Sequence, residues 1–124
     1  MAETKASLQN RLERYWAKKE AAVRKSNRLQ DAYDALKKVK DDHSDFKNRL
    51  YKKADEKSDD WEGSNYDEYL SQCMFAKQTT KKINDRIDVI LDDINIAKKQ
   101  ADKDITNFGR EIRAIKTKIE NWTN

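Results

Sequence analysis

From residue 83 to residue 122 an apolar side chain recurs at every third or fourth position: Ile83, Ile87, Ile90, Ile94, Ala97, Ala101, Ile105, Phe108, Ile112, Ile115, Ile119 and Trp122. An α-helix gathers such spacings on one face, because about 3.6 residues complete a turn; a strand would scatter them to both faces. The chain has no proline and two glycines, so little in it breaks a helix. Gly109 costs about 1 kcal/mol in a helix interior relative to alanine. The residues on either side of it keep phase, so the helix is read through it. Two consecutive steps of four, Ala97 to Ala101 to Ile105, read as a stutter, and the two alanines allow a close helix approach.

The first half keeps the same rhythm. Leu8, Leu12, Tyr15, Trp16, Ala22, Val23, Leu29, Tyr33, Leu36, Val39, His43, Phe46 and Leu50 fall on one face, with Thr4 or Ser7 as the N-cap. Asp41, Asp42, Ser44 and Asp45 are a local break signal around His43, yet the phase survives them, which predicts a continuous helix. Between the stripes, Asp55 to Glu68 is polar, contains Gly63, and carries Ser64-x-x-Asp67, a capping-box spacing with acid in the first turn. The prediction is an all-α, coiled-coil-like antiparallel two-helix hairpin forming a single domain over residues 1–124. Its helices run over about 5–56 and about 65–120, joined by a turn at about 57–64.

Composition bears on that prediction. The chain is 40% charged and 36% hydrophobic, with a mean hydropathy of −1.18. Alone, these values would fit disorder, but disordered chains are rich in the breakers this one lacks. The net charge of +4 is uneven: residues 1–60 hold 16 Lys and Arg against 12 Asp and Glu, and residues 61–124 hold 11 against 11. Arg11, Arg14, Lys18, Lys19, Arg24, Lys25 and Arg28 could line a phosphate-facing stripe, but Glu13 and Glu20 interrupt it and no base-reading motif accompanies it. A solvated outer face is the stronger reading, with nucleic-acid binding a minor one.

Candidate chemistry is sparse. The single cysteine, Cys73, excludes an internal disulfide and a cysteine-based metal site, and its place near the second stripe fits a small packed residue. His43 is the one histidine, in the first stripe, and is read as a packing residue. The carboxylate pairs Asp41–Asp42, Asp59–Asp60 and Asp92–Asp93 are neighbours in sequence, so on a helix they diverge by about 100°. There is no glycine-rich phosphate loop, metal-ligand spacing or nucleophile elbow. The expectation is a protein that is not an enzyme, with no cofactor, metal or small-molecule substrate. The N-terminus has no apolar run of a Sec signal, and no segment is apolar enough to span a membrane. A cytoplasmic protein is expected, with any export by a route that accepts helical cargo.

A lone hairpin has one seam. Tyr15 beside Trp16, Ala22 beside Val23, Ile90 beside Leu91, and Met74 and Phe75 beside Cys73 widen the apolar stripes beyond it. A four-helix arrangement would bury the surplus, so a homo- or hetero-oligomer is expected. Its candidate partner-binding residues are Ile83, Ile87, Ile90, Ile94, Ile105, Phe108, Ile112 and Ile115, with Leu29 and Leu36 from the first helix.

Trp61-Glu62-Gly63, near the chain's midpoint and between two helical stripes, resembles the Trp-x-Gly turn of the WXG proteins of type VII secretion. More narrowly, the chain is similar to the YwqH-like small proteins of Gram-positive bacteria. In those, the turn is followed by polar residues and an aromatic, then a long isoleucine-rich helix. Here Ser64, Asn65, Tyr66 and Tyr69 precede the isoleucine stripe. The resemblance spans the whole chain as architecture and residues 61–69 as motif, with Trp61, Gly63 and Tyr66 as the matching turn positions. It implies a chaperone-like adaptor that pairs with the helical N-terminal LXG domain of a toxin and promotes its export, or with another small WXG-like protein. The alternative it leaves is a secreted WXG-type homodimer. Secreted members often carry Tyr-x-x-x-Asp/Glu after the second helix. This chain has that spacing at Tyr51 and Asp55, before the turn, which favours an adaptor relying on its partner's signal.

Overall fold

A computed structural model describes the backbone of residues 4–55 and 64–122 and the side chains of residues 4–52 and 67–122. The protein is all-α, a two-helix hairpin of α1, Lys5–Asp55, and α2, Ser64–Glu120, with no strand among the described residues. The Thr4 Oγ1 accepts the Ser7 amide at 3.0 Å, and the Thr4 carbonyl accepts the Leu8 amide, so Thr4 caps α1. Helix α1 runs unbroken through residues 41–45. Helix α2 begins at Ser64, the first residue of the capping-box spacing. Trp61 and Gly63 lie outside the described residues, as does the side chain of Tyr66.

Contacts divide the chain into two compact units, Met1–Ala32 with Ile94–Asn124, and Tyr33–Asp93. In the first unit, the α1 residues shielded from solvent include Leu8, Leu12, Tyr15, Lys19, Ala22, Ser26 and Leu29. These steps alternate four and three, the repeat that keeps one seam facing an antiparallel neighbour. From α2 come Ile94, Lys98, Ala101, Ile105, Phe108, Ile112, Ile115 and Ile119. Leu8 and Ile115 are the largest fully buried side chains, and the rings of Tyr15 and Phe108 lie 6.2 Å apart. The stutter expected at Ala97 is bridged, because Lys98 takes the seam position and lays its stem along it, 28% exposed. A Cβ at Gly109 would meet only the Arg113 guanidinium, at 3.6 Å, so no close approach demands the glycine.

Ser26 and Asp102 close this seam. The buried Ser26 hydroxyl donates to Asp102 Oδ1 at 2.7 Å, and Lys98 Nζ donates to Oδ2 at 3.3 Å. The Ser26 bond, then that of Lys98, holds the Asp102 carboxyl below its ordinary 3.8. A depressed carboxylate contributes stability that is present above the unfolded pKa and lost as pH falls through the folded one. Ser26→Ala should therefore make the acid loss of stability shallower than in the parent below about pH 4. Thermal melts across that range check it.

In the second unit, α1 contributes Tyr33, Leu36, Lys40, His43, Lys47 and Leu50, and α2 contributes Tyr69, Cys73, Ala76, Thr80, Asn84, Ile87 and Leu91. The step from Thr80 to Asn84 follows another step of four, so the irregularity of the seam falls here. His43 Nε2 donates to the Thr80 carbonyl at 2.9 Å. Cys73 is half-buried. Asn84 Oδ1 is shut off from solvent and accepts no hydrogen bond. An orphaned buried acceptor costs about 1–3 kcal/mol. Asn84→Leu should raise stability by roughly 1–2 kcal/mol in urea unfolding. An unchanged or lower midpoint would mean that the amide is satisfied in solution.

Candidate functional site

The doubled apolar positions separate, one inward and one outward. Tyr15, Ala22 and Leu91 enter the seams, while Trp16, Val23 and Ile90 remain exposed. Val39 and Phe46, expected on the packed face, lie outside it, and Lys40 and Lys47 take the seam positions beside them. Ile83 and Trp122 are likewise exposed rather than packed.

Ile87, Ile112 and Ile115, among the candidate partner-binding residues, are buried in the hairpin's own packing. Leu29, Leu36, Ile94, Ile105 and Phe108 are partly shielded in the same seams. Only Ile83 and Ile90 of that set present substantial surface.

Cross-helix contacts in the second unit identify its two flanks. With seam positions labelled a and d, Lys40 of α1 pairs with Asp88 of α2, an e position. The Asp88 hydrogen bond raises the Lys40 pKa above its ordinary 10.5. Lys77, also at e, lies 4.8 Å from the centre of the Tyr51 ring, at e of α1. Lys47 approaches the same ring at 5.5 Å. The e flank is thus closed by ion pairing and cation–π contact. Antiparallel pairing puts the g positions of both helices on the other flank. Here they include Val39 and Phe46 on α1 and Ile83 and Ile90 on α2, all four 40–51% exposed, while Gln72 and Thr79 take the earlier g positions of α2. One residue forward on α1 is one back on α2, so the Lys40–Asp88 pair sets Val39 and Phe46 within one residue's rise of Ile90 and Ile83. Val89, one position before Ile90, extends the apolar edge; it lines an open groove with Lys82, Asp85, Arg86, Ile90 and Asp93.

The first unit is built differently. Its g positions are Arg11, Lys18, Lys25 and Ala32 on α1 and Ala97, Asp104, Glu111 and Lys118 on α2, charged except for the two alanines. Of its exposed aromatics, Trp16 lies on the e flank with Lys19 and Lys116 each 5.2 Å from its ring. Two ammonium groups thus lie against that indole, and among the described residues no ammonium group lies over Phe46 on the apolar flank of the second unit. Asp104 and Glu111 share the flank of Lys18 and Lys25, which breaks up the basic stripe as a phosphate-facing surface.

Among the described residues no group of three His, Cys, Asp or Glu is placed to hold a metal ion. No helix among them is long and apolar enough to cross a membrane. No family model, curated protein or solved structure matches the chain. The candidate site is the apolar helical flank of Val39, Phe46, Ile83 and Ile90.

Proposed function

We propose that this protein is a chaperone-like adaptor that binds the helical N-terminal LXG domain of a type VII-secreted toxin and promotes its export. The observation that carries the reading is the flank of the second unit, where four aliphatic or aromatic side chains line up across two helices and stay about half exposed. Fully burying a side chain of this kind stabilises by about 1.5–3 kcal/mol, so each leaves roughly 1 kcal/mol unrealised. A partner helix laid along the flank would recover it, the mode by which amphipathic helices dock in apolar grooves. The Trp61-Glu62-Gly63 resemblance supplies the class of partner. The adaptor would cover an apolar face of the toxin domain until it reaches the secretion machine, and the pair would present a joint export surface.

The test is affinity purification of the tagged chain from its native host, with mass spectrometry of what accompanies it. Recovery of a helical LXG-type protein at matched stoichiometry supports the adaptor. Recovery of the chain alone removes the toxin link and favours a secreted WXG-type homodimer.

A further inference from the structure

Folding re-sorts the charge of the chain. The first unit joins the two ends of the sequence. Residues 1–32 hold 8 Lys and Arg against 4 Asp and Glu, and residues 94–124 hold 7 against 4, a net charge of +7. Residues 33–93, the second unit, hold 12 against 15, a net charge of −3. Within the first unit, one face of α2 carries cations alone. Lys99, Lys103, Thr106, Arg110, Arg113 and Thr117 alternate between b and f positions in steps of four and three, so they form a stripe along the side turned away from the seam. Gln100, Asn107 and Ala114 fill the adjacent c positions, and no carboxylate stands at b, c or f from Ile96 to Thr117. The whole face is exposed. Among the described residues, Lys99, Lys103, Arg110 and Arg113 form no ion pair. The outer face of α1 in the same unit differs, because Glu13, Glu20 and Asp31 alternate there with Arg14, Arg24 and Arg28.

Carboxylates border the stripe without entering it. Asp102, at e, edges the open groove lined by Lys99, Lys103 and Arg110, and its two oxygens already accept the Ser26 hydroxyl and the Lys98 ammonium. Asp104, at g, accepts the Gln100 amide at 3.0 Å. Glu111 is also at g, Asp92, Asp93 and Glu120 stand beyond the ends, and Lys116 and Lys118 add cations at e and g. We propose that this face of α2 binds the phosphate backbone of double-stranded DNA, without reading its sequence. A protein partner would need an apolar anchor to desolvate, and a membrane surface would need an apolar face to insert. Here Ala114 is the one apolar residue between Lys99 and Thr117, and Ile96 lies past the end. Phosphates need only cations and neutral donors, which lysine, arginine, threonine, asparagine and glutamine supply. The stripe has no aromatic residue on which an unpaired base would stack, which favours a duplex over a single strand. From Lys99 to Arg113 it runs about 21 Å at 1.5 Å per residue, roughly six base pairs at 3.4 Å each. RNA duplexes are held across two successive grooves over about 16 base pairs, more than this stripe spans. The inference goes beyond the adaptor reading and uses residues which that reading does not.

The test is fluorescence anisotropy of a labelled DNA duplex of about 20 base pairs, titrated with the full chain at several salt concentrations. Four phosphate contacts predict a slope of log K against log salt of about −3 to −4. The double variant Lys103→Gln with Arg110→Gln should flatten that slope by about 2 and weaken binding at least about tenfold at low salt. Arg14→Gln with Arg24→Gln removes the same charge from the outer face of α1 and should change affinity less than about threefold. All four residues are exposed, and circular dichroism checks that both variants keep their helicity. A parent chain that does not retain the duplex overturns the proposal. Equal weakening by the two double variants also overturns it, since attraction would then follow net charge and not this face. Tighter retention on single-stranded DNA, on duplex RNA or on phosphatidylserine vesicles than on the DNA duplex overturns the assignment of the occupant.

Discussion

Ile115→Ala should destabilise the hairpin by about 3 kcal/mol, within the roughly 2–5 kcal/mol that truncating a buried isoleucine costs. Ile115 is 1% exposed and, with Leu8, is one of the two largest side chains wholly removed from solvent. Its first unit has few other buried apolar groups, namely Ala22, Ala101 and Ile112. A thin core cannot redistribute the loss, because a slender helix pair has little packed volume with which to collapse around a cavity. Urea unfolding followed at 222 nm measures the effect. A change below about 1 kcal/mol would mean that the site relaxes around the missing atoms or that the seam is looser than its burial indicates.

A second large effect separates folding from binding. Ile94→Asp and Ile105→Asp place a carboxylate in a partly shielded seam position and should cost about 2–3 kcal/mol of stability, since the charge is partly desolvated there and the isoleucine's packing is lost. Ile83→Asp and Ile90→Asp place it on the outer flank and should leave helicity and the urea midpoint near those of the parent. The same two should reduce partner recovery by roughly 100-fold, because an apolar contact desolvated on docking would then strand a charge. The measurement pairs unfolding with quantitative pull-down of the LXG-type partner. If Ile83→Asp and Ile90→Asp recover the partner normally, the second-unit flank is not the binding surface.

Much of this architecture was legible from residue spacing alone. Lack of proline, the steps of three and four, and the polar interval before Ser64 specify two long helices, because each is a local property of backbone geometry and capping. The Thr4 cap follows from short-range hydrogen bonding that a four-residue window contains, and α2 starts at Ser64, where the capping-box spacing begins. The seam itself was harder to read. From Leu8 to Leu50 a strict alternation of four and three passes through Lys19, Ser26, Lys40 and Lys47. A reading that follows hydrophobicity steps off that track onto Val39 and Phe46. Lysine can occupy a seam because its methylene stem packs while its ammonium reaches an edge, as Lys40 does towards Asp88.

The sequence by itself determined that the chain is helical, where its helices begin and end, and that it carries more apolar surface than one seam can enclose. Only the tertiary structure decided which apolar residues are the surplus. Ile90 and Leu91 are equally hydrophobic neighbours, and a rotation of α2 by one residue would exchange them. The choice is made by cross-helix contacts that no local window contains: Ser26 with Asp102 in the first unit, and Lys40 with Asp88 and His43 with Thr80 in the second. These polar contacts are few, but each is directional, and burial by itself is not. They set the rotation of each helix pair and leave Val39, Phe46, Ile83 and Ile90 facing outward.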